Sequence, residues 1–157
     1  YGLGKITGMK LTIRENEGFS SVRNRDIIDK EKAGGGIWSD TGVHAIAFLR
    51  NIGAEIDYGK EIDAFSIKSD DLNIQDDKYA ETTMDVRQMY IKGVKGKEGC
   101  FGEDCKVEIF VGKDASYEKK KSFSMEYENG KVKMRLNILY IYAKNVQNIV
   151  LPEILYI

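Results

Sequence analysis

Apolar and polar residues alternate along several segments of the chain, with the period of two expected of half-buried strands. The first segment contains Met9, Leu11 and Ile13, which alternate with polar neighbours. In the next predicted strand the alternation fails near residue 64, where we expect a bulge. The downstream strands are predicted at residues 62–68, 82–94 and 107–111.

One strong helix is predicted from Ile37 to Ile52, because its apolar residues gather into one broad face at the helical period. Gly53 follows in the position that a left-handed C-cap favours. The polar residues Asp40, His44 and Asn51 fall together in a narrow stripe on the same helix. The apolar face consists of Ile37, Trp38, Ala45, Phe48, Leu49 and Ile52.

A tight hairpin is predicted at Asn129-Gly130, the dipeptide that a type I′ turn prefers because both central residues need positive φ. A two-residue turn there pairs Glu128 with Lys131 and places opposite charges across the strands. The second strand is expected to run on through Tyr142, where both of its faces are apolar. Such a strand has a layer on each side: the helix on one, and a partner subunit or a second buried helix on the other.

These elements predict a single α+β domain over residues 1–157. Its core is a mainly antiparallel open sheet of about five to seven strands, with one principal helix and short helices packed on one face. A short helical piece is expected near residue 27, and residues 95–106 are predicted to form a glycine-rich excursion between two strands.

Composition narrows the function classes. With 42% hydrophobic and 31% charged residues the chain can bury a core, which excludes intrinsic disorder. Lysine and arginine number 24 against 25 acids, so the basic excess typical of nucleic-acid binding is missing. No apolar run approaches the ~18 residues that span a bilayer. We therefore expect a cytoplasmic protein without nucleic-acid or membrane partners.

Two cysteines, Cys100 and Cys105, give no disulfide framework, so a reducing compartment is the default. The chain has a single histidine and no second cysteine pair, which argues against a closed zinc site. The two residues are interpreted as a surface disulfide or as two free thiols, and no metal site is expected.

Asp40 and His44 are the strongest candidates for chemistry, because residues four apart on a helix can bring their side chains together. An imidazole takes and returns a proton near neutral pH, and a neighbouring carboxylate orients the ring and favours its protonated form. The alternative is the solvated face of an amphipathic helix, on which such a pair is incidental. The pattern alone leaves both interpretations open.

The segment from Gly34 to His44 reads Gly-Gly-Gly-Ile-Trp-Ser-Asp-Thr-Gly-Val-His. It resembles the G-G-G-x-x-x-D-x-G-x-H signature of the glucose-fructose oxidoreductase / inositol dehydrogenase / MocA family. Leu3-Gly4-Lys5-Ile6 is similar to the start of that family's second domain, and the resemblance covers residues 1–68. It implies the fold of the family's C-terminal domain and an oxidoreductase acting on a sugar, polyol or related hydroxyl compound.

The resemblance also implies that this chain is a substrate-binding and oligomerisation domain, and that an N-terminal Rossmann domain absent from it binds NAD or NADP. In the family, the residues matching Asp40 and His44 face the substrate beside the nicotinamide, and the histidine relays the proton of the reacting hydroxyl. Gly35, Gly36 and Asn51 are expected to contact the substrate. A lysine from an E-K-P motif in the first domain completes the family's site. This chain contains no Glu-Lys-Pro and is expected to be inactive alone.

Other features favour rival functions. Ala47 stands where the family often has an acid, which favours a non-enzymatic ligand-binding or regulatory module that kept the fold. A third hypothesis is an oligomerisation domain that uses the apolar strand at residues 140–142. A homo-oligomer through the open sheet face is expected. The chain starts at Tyr1 without an initiator methionine, which we interpret as a domain taken from a longer protein.

Overall fold

The computed structural model describes residues 2–16, 26, 29–67, 82–114, 116–135, 138–143 and 149–151. The strands are β1 (Ile6–Glu15), β2 (Ala54–Ile56), β3 (Asp63–Ile67), β4 (Thr83–Gly93), β5 (Phe101–Lys113), β6 (Lys120–Tyr127), β7 (Gly130–Arg135), β8 (Ile138–Ala143) and β9 (Ile149–Leu151). The helices are α1 (Lys30–Ala33) and α2 (Val43–Asn51), with a π-helical turn at Trp38–Gly42 and a 3₁₀ turn at Glu98–Cys100.

The strands in the described ranges form one sheet in the order β2-β4-β5-β1-β6-β7-β8-β9, and β3 also pairs with β4. All neighbours are antiparallel except β1 and β5, which run parallel. The predicted α+β class, with a mainly antiparallel sheet and one principal helix, is confirmed. The bulge expected near residue 64 is also confirmed, by a register shift between Asp63 and Ala64. The sheet has nine strands, more than predicted. Strands β2 and β9 are too short to show alternation, and the strand predicted to run through Tyr142 is two strands, β7 and β8.

The core lies between α2 and the central strands of the sheet. Successive strand residues point to opposite faces, so Val107, Ile109 and Val111 of β5 all face the helix and are at most 1% exposed. Ala45 and Leu49 of α2 are buried in the same cluster. Burying a leucine side chain in this way stabilises a fold by about 1.5–3 kcal/mol.

The predicted helix over residues 37–52 is present, but its first part is not an α-helix. In the π-helical turn, the N–H of Val43 donates to the carbonyl oxygen of Trp38, five residues back. Gly53 has a φ of 84°, so the left-handed glycine predicted at the helix end is confirmed. None of the helices in the described part of the chain is long and apolar enough to cross a membrane.

Replacing Gly53 by alanine is expected to cost about 1–2 kcal/mol of unfolding free energy from its left-handed backbone alone. The added Cβ would also strike Cδ of Lys97, which must move. Gly96 has a φ of 90° with open space around it, and Gly99 has open space without a left-handed backbone. In chemical unfolding we expect Gly53→Ala to lose the most unfolding free energy, Gly96→Ala to lose less, and Gly99→Ala to lose the least. Equal losses at positions 53 and 99 would contradict this account.

The hairpin between β6 and β7 forms with a register two residues away from the predicted one. Tyr127 pairs with Gly130, and Glu126 pairs with Lys131. The side chains of Glu126 and Lys131 form an ion pair across the strands. The predicted type I′ turn at Asn129-Gly130 is therefore wrong, and neither of these residues has a positive φ.

The reason for the shift is a contact between the turn and the start of the chain. The N–H of Glu128 donates to the carbonyl oxygen of Lys5, and the N–H of Asn129 donates to the carbonyl oxygen of Leu3. Both donor–acceptor distances are 3.0 Å. The Glu128 carboxylate accepts in turn from the N–H of Lys5 at 3.1 Å. These tertiary hydrogen bonds satisfy the turn's donors and outweigh the local preference of the Asn-Gly dipeptide.

Two strand boundaries also differ from the prediction. Arg135 pairs with Ile138, so the chain reverses between β7 and β8, and the prediction of one strand running through Tyr142 is wrong. Residues 101–106 are not part of an excursion, because β5 begins at Phe101, which is buried. The helical piece expected near residue 27 lies outside the described residues.

Candidate functional site

Gly34, Gly35 and Gly36 form the tight link between α1 and the helix that follows. Gly34 ends α1 with a φ of 62°, and Gly36 has a φ of 53°. The carbonyl oxygen of Gly35 accepts the N–H groups of Trp38 and Ser39, at 3.2 and 3.3 Å. A left-handed backbone is unfavourable for any residue that has a Cβ, and this segment needs it twice within three positions. That requirement explains the glycines at positions 34 and 36. Contact between Gly35 or Gly36 and a substrate stays a prediction.

The π-helical turn carries Asp40 between Trp38 and Gly42. Gly42 has an ordinary helical φ of −62°, so its backbone does not require glycine. Position 42 requires glycine for lack of space, because a Cβ there would lie 2.5 Å from Cε3 of the Trp38 ring. The ring packs partly buried against the core, and Gly42 leaves it room. Turns of this kind are frequent at functional sites.

Asp40 is held by partners that lie nearer the sheet. Its Oδ2 atom accepts from Nζ of Lys113 at 2.5 Å and from the hydroxyl of Thr41 at 3.3 Å. Lys113 also lies 3.4 Å from Oε2 of Glu15. Lys113 and Glu15 are the last residues of β5 and β1, so the parallel pairing of these strands places them side by side.

Lys113 remains charged in this setting. Burial lowers the pKa of Lys113, but the hydrogen bond and charge of Asp40, followed by the charge of Glu15, outweigh it and raise the pKa above its ordinary value. Because the pKa is raised, the stability that this lysine contributes is complete below the ordinary lysine pKa. It is lost only as the pH rises through the raised value. Lys113 therefore keeps its positive charge at neutral pH.

His44 lies on the exposed side of α2, one turn after Asp40. Among the described residues it has no hydrogen bond and no ion pair, and Asp40 bonds to Lys113 instead. The predicted polar stripe is present, since Asp40 is partly exposed and His44 and Asn51 are exposed. The structure thus places the imidazole where it can meet a ligand, without a carboxylate to orient it.

Asn51 stands apart from the other predicted site residues. It lies seven positions after His44, roughly 10 Å along the helix axis. Its carbonyl oxygen accepts from Nζ of Lys97 at 3.4 Å. Gly35 lies at the opposite end, where a Cβ would approach Oγ of Ser39. The structure therefore groups Gly35, Gly36 and Asp40 closely, puts His44 one turn on, and leaves Asn51 two turns further.

The sequence analysis missed two residues of the site, Lys113 and Glu15. Each continues a strand's alternation by one more step, Lys113 after Val111 and Glu15 after Ile13. That phase puts both side chains on the helix face of the sheet, where an ion would need a partner. A charge at the end of each apolar alternation was the available signal, but alternation does not show which strand ends meet.

The cysteines differ in environment. Cys100 is exposed and Cys105 is buried, and both are free. Burial raises the pKa of the Cys105 thiol to about 11, so this residue stays a protonated, unreactive thiol at neutral pH. Within the described residues, no group of three or more His, Cys, Asp or Glu side chains could hold a metal ion.

A cavity of about 580 Å³ opens beside the second half of α2, away from Asp40 and His44. Its walls carry charges of both signs, from Arg50 and Lys92 and from Glu55 and Asp57. Tyr58, 79% exposed, lies at its edge. None of the predicted site residues lines this cavity.

Comparison with known proteins gives similarity of structure but not of sequence. Neither a protein-family model nor a curated protein matches the chain. The 3-ketoreductase KijD10 from Actinomadura kijaniata, in complex with NADP and TDP-benzene, matches with a TM-score of 0.61 at 11% identity, over 97% of this chain and 42% of that chain. The UDP-N-acetylglucosamine 3-dehydrogenase GnnA from Acidithiobacillus ferrooxidans matches with a TM-score of 0.63 at 13% identity, over 99% and 41%. An oxidoreductase from Sinorhizobium meliloti matches with a TM-score of 0.60 at 15% identity, over 96% and 36%.

At these identities the likeness shows the fold. Nearly the whole chain superimposes on part of each oxidoreductase, and it spans 36–42% of their length. The predicted fold class is thus one found within solved oxidoreductases.

Proposed function

We propose that this chain is the substrate-binding domain of an NAD(P)-dependent oxidoreductase that acts on a hydroxyl group of a sugar, polyol or sugar nucleotide. The observation that carries the proposal is the exposed His44 on the helix that Gly34–Gly36 introduces, in the order of the family signature. The fold supports it, because solved structures with this fold include a 3-ketoreductase and a UDP-N-acetylglucosamine dehydrogenase. The substrate class is inferred from these two enzymes.

In this proposal His44 holds and moves a proton. It accepts the proton of the reacting hydroxyl in the oxidation and returns it in the reduction, which an imidazole can do near neutral pH. The nicotinamide supplies the acceptor or donor of the hydride. Asp40 supplies a negative charge at the end of the site nearest the glycines. Gly35, Gly36 and Asn51 contact the substrate.

Cofactor binding is assigned to a separate Rossmann domain of the full-length protein. The triple glycine lacks the G-x-G-x-x-G spacing of a dinucleotide loop, and it joins two helices rather than a strand and a helix. The catalytic lysine of the site would come from that domain too, so this chain alone is inactive. We further propose a cytoplasmic homo-oligomer that associates through the open sheet face.

The alternative is a non-enzymatic ligand-binding module that kept the fold. One observation favours it: the Asp40 carboxylate is committed to Lys113 and does not orient His44. A domain that had lost its chemistry would tolerate such an arrangement.

A turnover assay separates the two functions. The full-length protein that carries this chain is incubated with NAD⁺ or NADP⁺ and a panel of sugar nucleotides, free sugars and polyols, and formation of the reduced cofactor is followed by absorbance. We expect turnover with at least one sugar nucleotide, and none with residues 1–157 alone. Calorimetric binding of panel members without turnover of any would overturn the oxidoreductase and favour the binding module.

A further inference from the structure

The face of the sheet that points away from α2 carries an arginine whose charge is not compensated. Successive residues of β1 alternate between the two faces, so Arg14 lies opposite the core row of Met9, Leu11 and Ile13. None of the ion pairs among the described residues includes Arg14. Its Nε atom is buried and has no hydrogen-bond partner. A buried charged donor without an acceptor is costly in free energy, so an acceptor is expected beside it.

Two aromatic rings hold the guanidinium group of Arg14 in place. Its Cζ atom lies 4.7 Å from the centre of the Phe110 ring and 5.9 Å from the centre of the Tyr117 ring, and contacts between a cation and a ring are attractive at these distances. The two rings meet edge to face. The hydroxyl groups of Tyr117 and Thr83 share a hydrogen bond of 2.7 Å, which fixes the outer ring. These contacts orient the guanidinium group without giving its N–H donors an acceptor.

Gly112, which pairs with Arg14 across β1 and β5, leaves room for this arrangement. A Cβ at this position would lie 2.6 Å from Cε2 of Tyr117 and 2.9 Å from Oγ1 of Thr83. The N–H of Tyr117 donates to the carbonyl oxygen of Asp114 at 3.0 Å, and this bond closes the turn that follows β5. Backbone, glycine and rings together therefore build a fixed seat for the arginine.

A cavity of about 260 Å³ lies beside Arg14 on this face of the sheet. The other charged residues that line it are Lys10, Asp85 and Glu108. Nζ of Lys10 donates to the Glu108 carboxylate at 2.8 Å. The Asp85 carboxylate accepts from Nε of Arg87 at 3.2 Å. Because these charges are paired with one another, the positive charge of Arg14 is the one that remains at the cavity.

We propose that this cavity binds one oxyanion group of a small molecule, a phosphate or a carboxylate, on the guanidinium group of Arg14. The planar fork of an arginine matches two oxygens of either group. Thr12 is 6% exposed and lines the same cavity, and its hydroxyl has no hydrogen bond among the described residues, so it is a second donor. The cavity is smaller than the about 300–1,000 Å³ of pockets that enclose whole ligands, so it fits one charged group and not a nucleotide.

This site is separate from the proposed catalytic site. Arg14 and the cavity lie on the face of the sheet opposite to α2, which carries His44. The inference therefore does not depend on the proposed function, and its test needs no turnover.

Arg87 provides a matched control in the same sheet. Its guanidinium group also stacks on a ring, with Cζ 4.2 Å from the centre of Phe65. Its charge is compensated by Asp85, and its side chain is 59% exposed. The two arginines thus share the stacking and differ in the feature that the proposal requires, a charge without a partner.

The test is a titration of the 157-residue chain with inorganic phosphate, and separately with acetate, at an ionic strength held constant with sodium chloride. The NMR signals of the arginine Nε–Hε groups follow binding. We expect a saturable shift of the Arg14 signal and no saturable shift of the Arg87 signal. Arg14→Gln is expected to weaken phosphate binding roughly 10- to 100-fold, the size of a hydrogen bond to a charged group, and Arg87→Gln to leave the affinity unchanged.

The midpoint of chemical unfolding gives a second readout, because a ligand that binds only the native state stabilises it. Phosphate also stabilises proteins in general, since it is excluded from their surfaces. The informative quantity is therefore the difference between each variant and the wild type. We expect the phosphate-dependent rise to be smaller in Arg14→Gln than in the wild type, and to be the same in Arg87→Gln as in the wild type.

An Arg14 signal that does not saturate with either anion would overturn the proposal, as would equal losses of affinity in Arg14→Gln and Arg87→Gln. The wild-type titration decides the matter even if Arg14→Gln does not fold, because it needs no variant. Sedimentation tests a second source of the same chemistry, a carboxylate from another copy of the chain. If Arg14→Gln changes the oligomeric state and neither anion binds the wild type, the acceptor belongs to the second copy and the small-molecule site is wrong.

Discussion

Replacing His44 by alanine in the full-length protein is expected to lower turnover about 10²- to 10⁴-fold, the usual loss when a general acid–base is removed. The substitution takes away the group proposed to receive the substrate's proton. Since His44 is exposed and has no bonded partner among the described residues, the fold does not depend on it. The measurement is kcat with the sugar nucleotide that supports the wild-type reaction, alongside the unfolding midpoint of each protein.

Arg50→Ala is the control for this experiment, because Arg50 is also exposed on α2 and lies outside the candidate site. We expect it to keep the wild-type kcat and a similar unfolding midpoint. A His44→Ala enzyme that turns over at the wild-type rate would remove His44 from the chemistry. The proton would then be moved by another group of the full-length protein, and the proposed role of His44 would be wrong.

Gly42→Ala is expected to destabilise the fold by about 1–3 kcal/mol, the range found when a well-packed site is overfilled. The new Cβ would lie 2.5 and 2.6 Å from two atoms of the Trp38 ring. Either the indole leaves its place or the π-helical turn rewinds, and both alter Trp38 fluorescence. Chemical unfolding measures the loss of stability, and the emission of the native state reports the movement of the ring.

A double-mutant cycle with Trp38→Leu isolates the cause. In the leucine background Gly42→Ala is expected to cost much less, because the ring that the Cβ strikes is gone. The same cost in both backgrounds would show that the Trp38 ring is not the reason why position 42 requires glycine. Gly99→Ala, whose Cβ meets nothing within 4 Å, controls for the general effect of replacing a glycine.

The elements of the fold were predictable because each depends on a periodic pattern that neighbours in sequence supply. The core of β1 and the buried face of α2 follow directly from periods of two and 3.6 residues. Ala45 and Leu49 lie in the core as the helical wheel requires, and His44 lies outside it. The polar stripe could therefore be predicted from the sequence without any knowledge of tertiary contacts.

The π-helical turn and the hairpin register were not predictable in this way, because contacts between distant segments decide them. The backbone carbonyls of Leu3 and Lys5 select the turn at residues 128–129, more than 120 positions away. Asp40 of the π-helical turn is bonded to Lys113, which lies 73 positions away in the sequence. Lys113 and Glu15 meet only because β1 and β5 run parallel, a pairing that alternation cannot reveal.

The central place of β1 has a consequence for the order of events during synthesis. Its neighbours in the sheet are β5 and β6, and Lys10 bonds to Glu108 across 98 positions of sequence. A nascent chain therefore carries the apolar side of β1 without a sheet partner until most of the polypeptide has left the ribosome. Closing so long a loop is slow compared with forming a local hairpin. Chaperones that shield extended apolar segments would hold β1 until β5 and β6 have emerged.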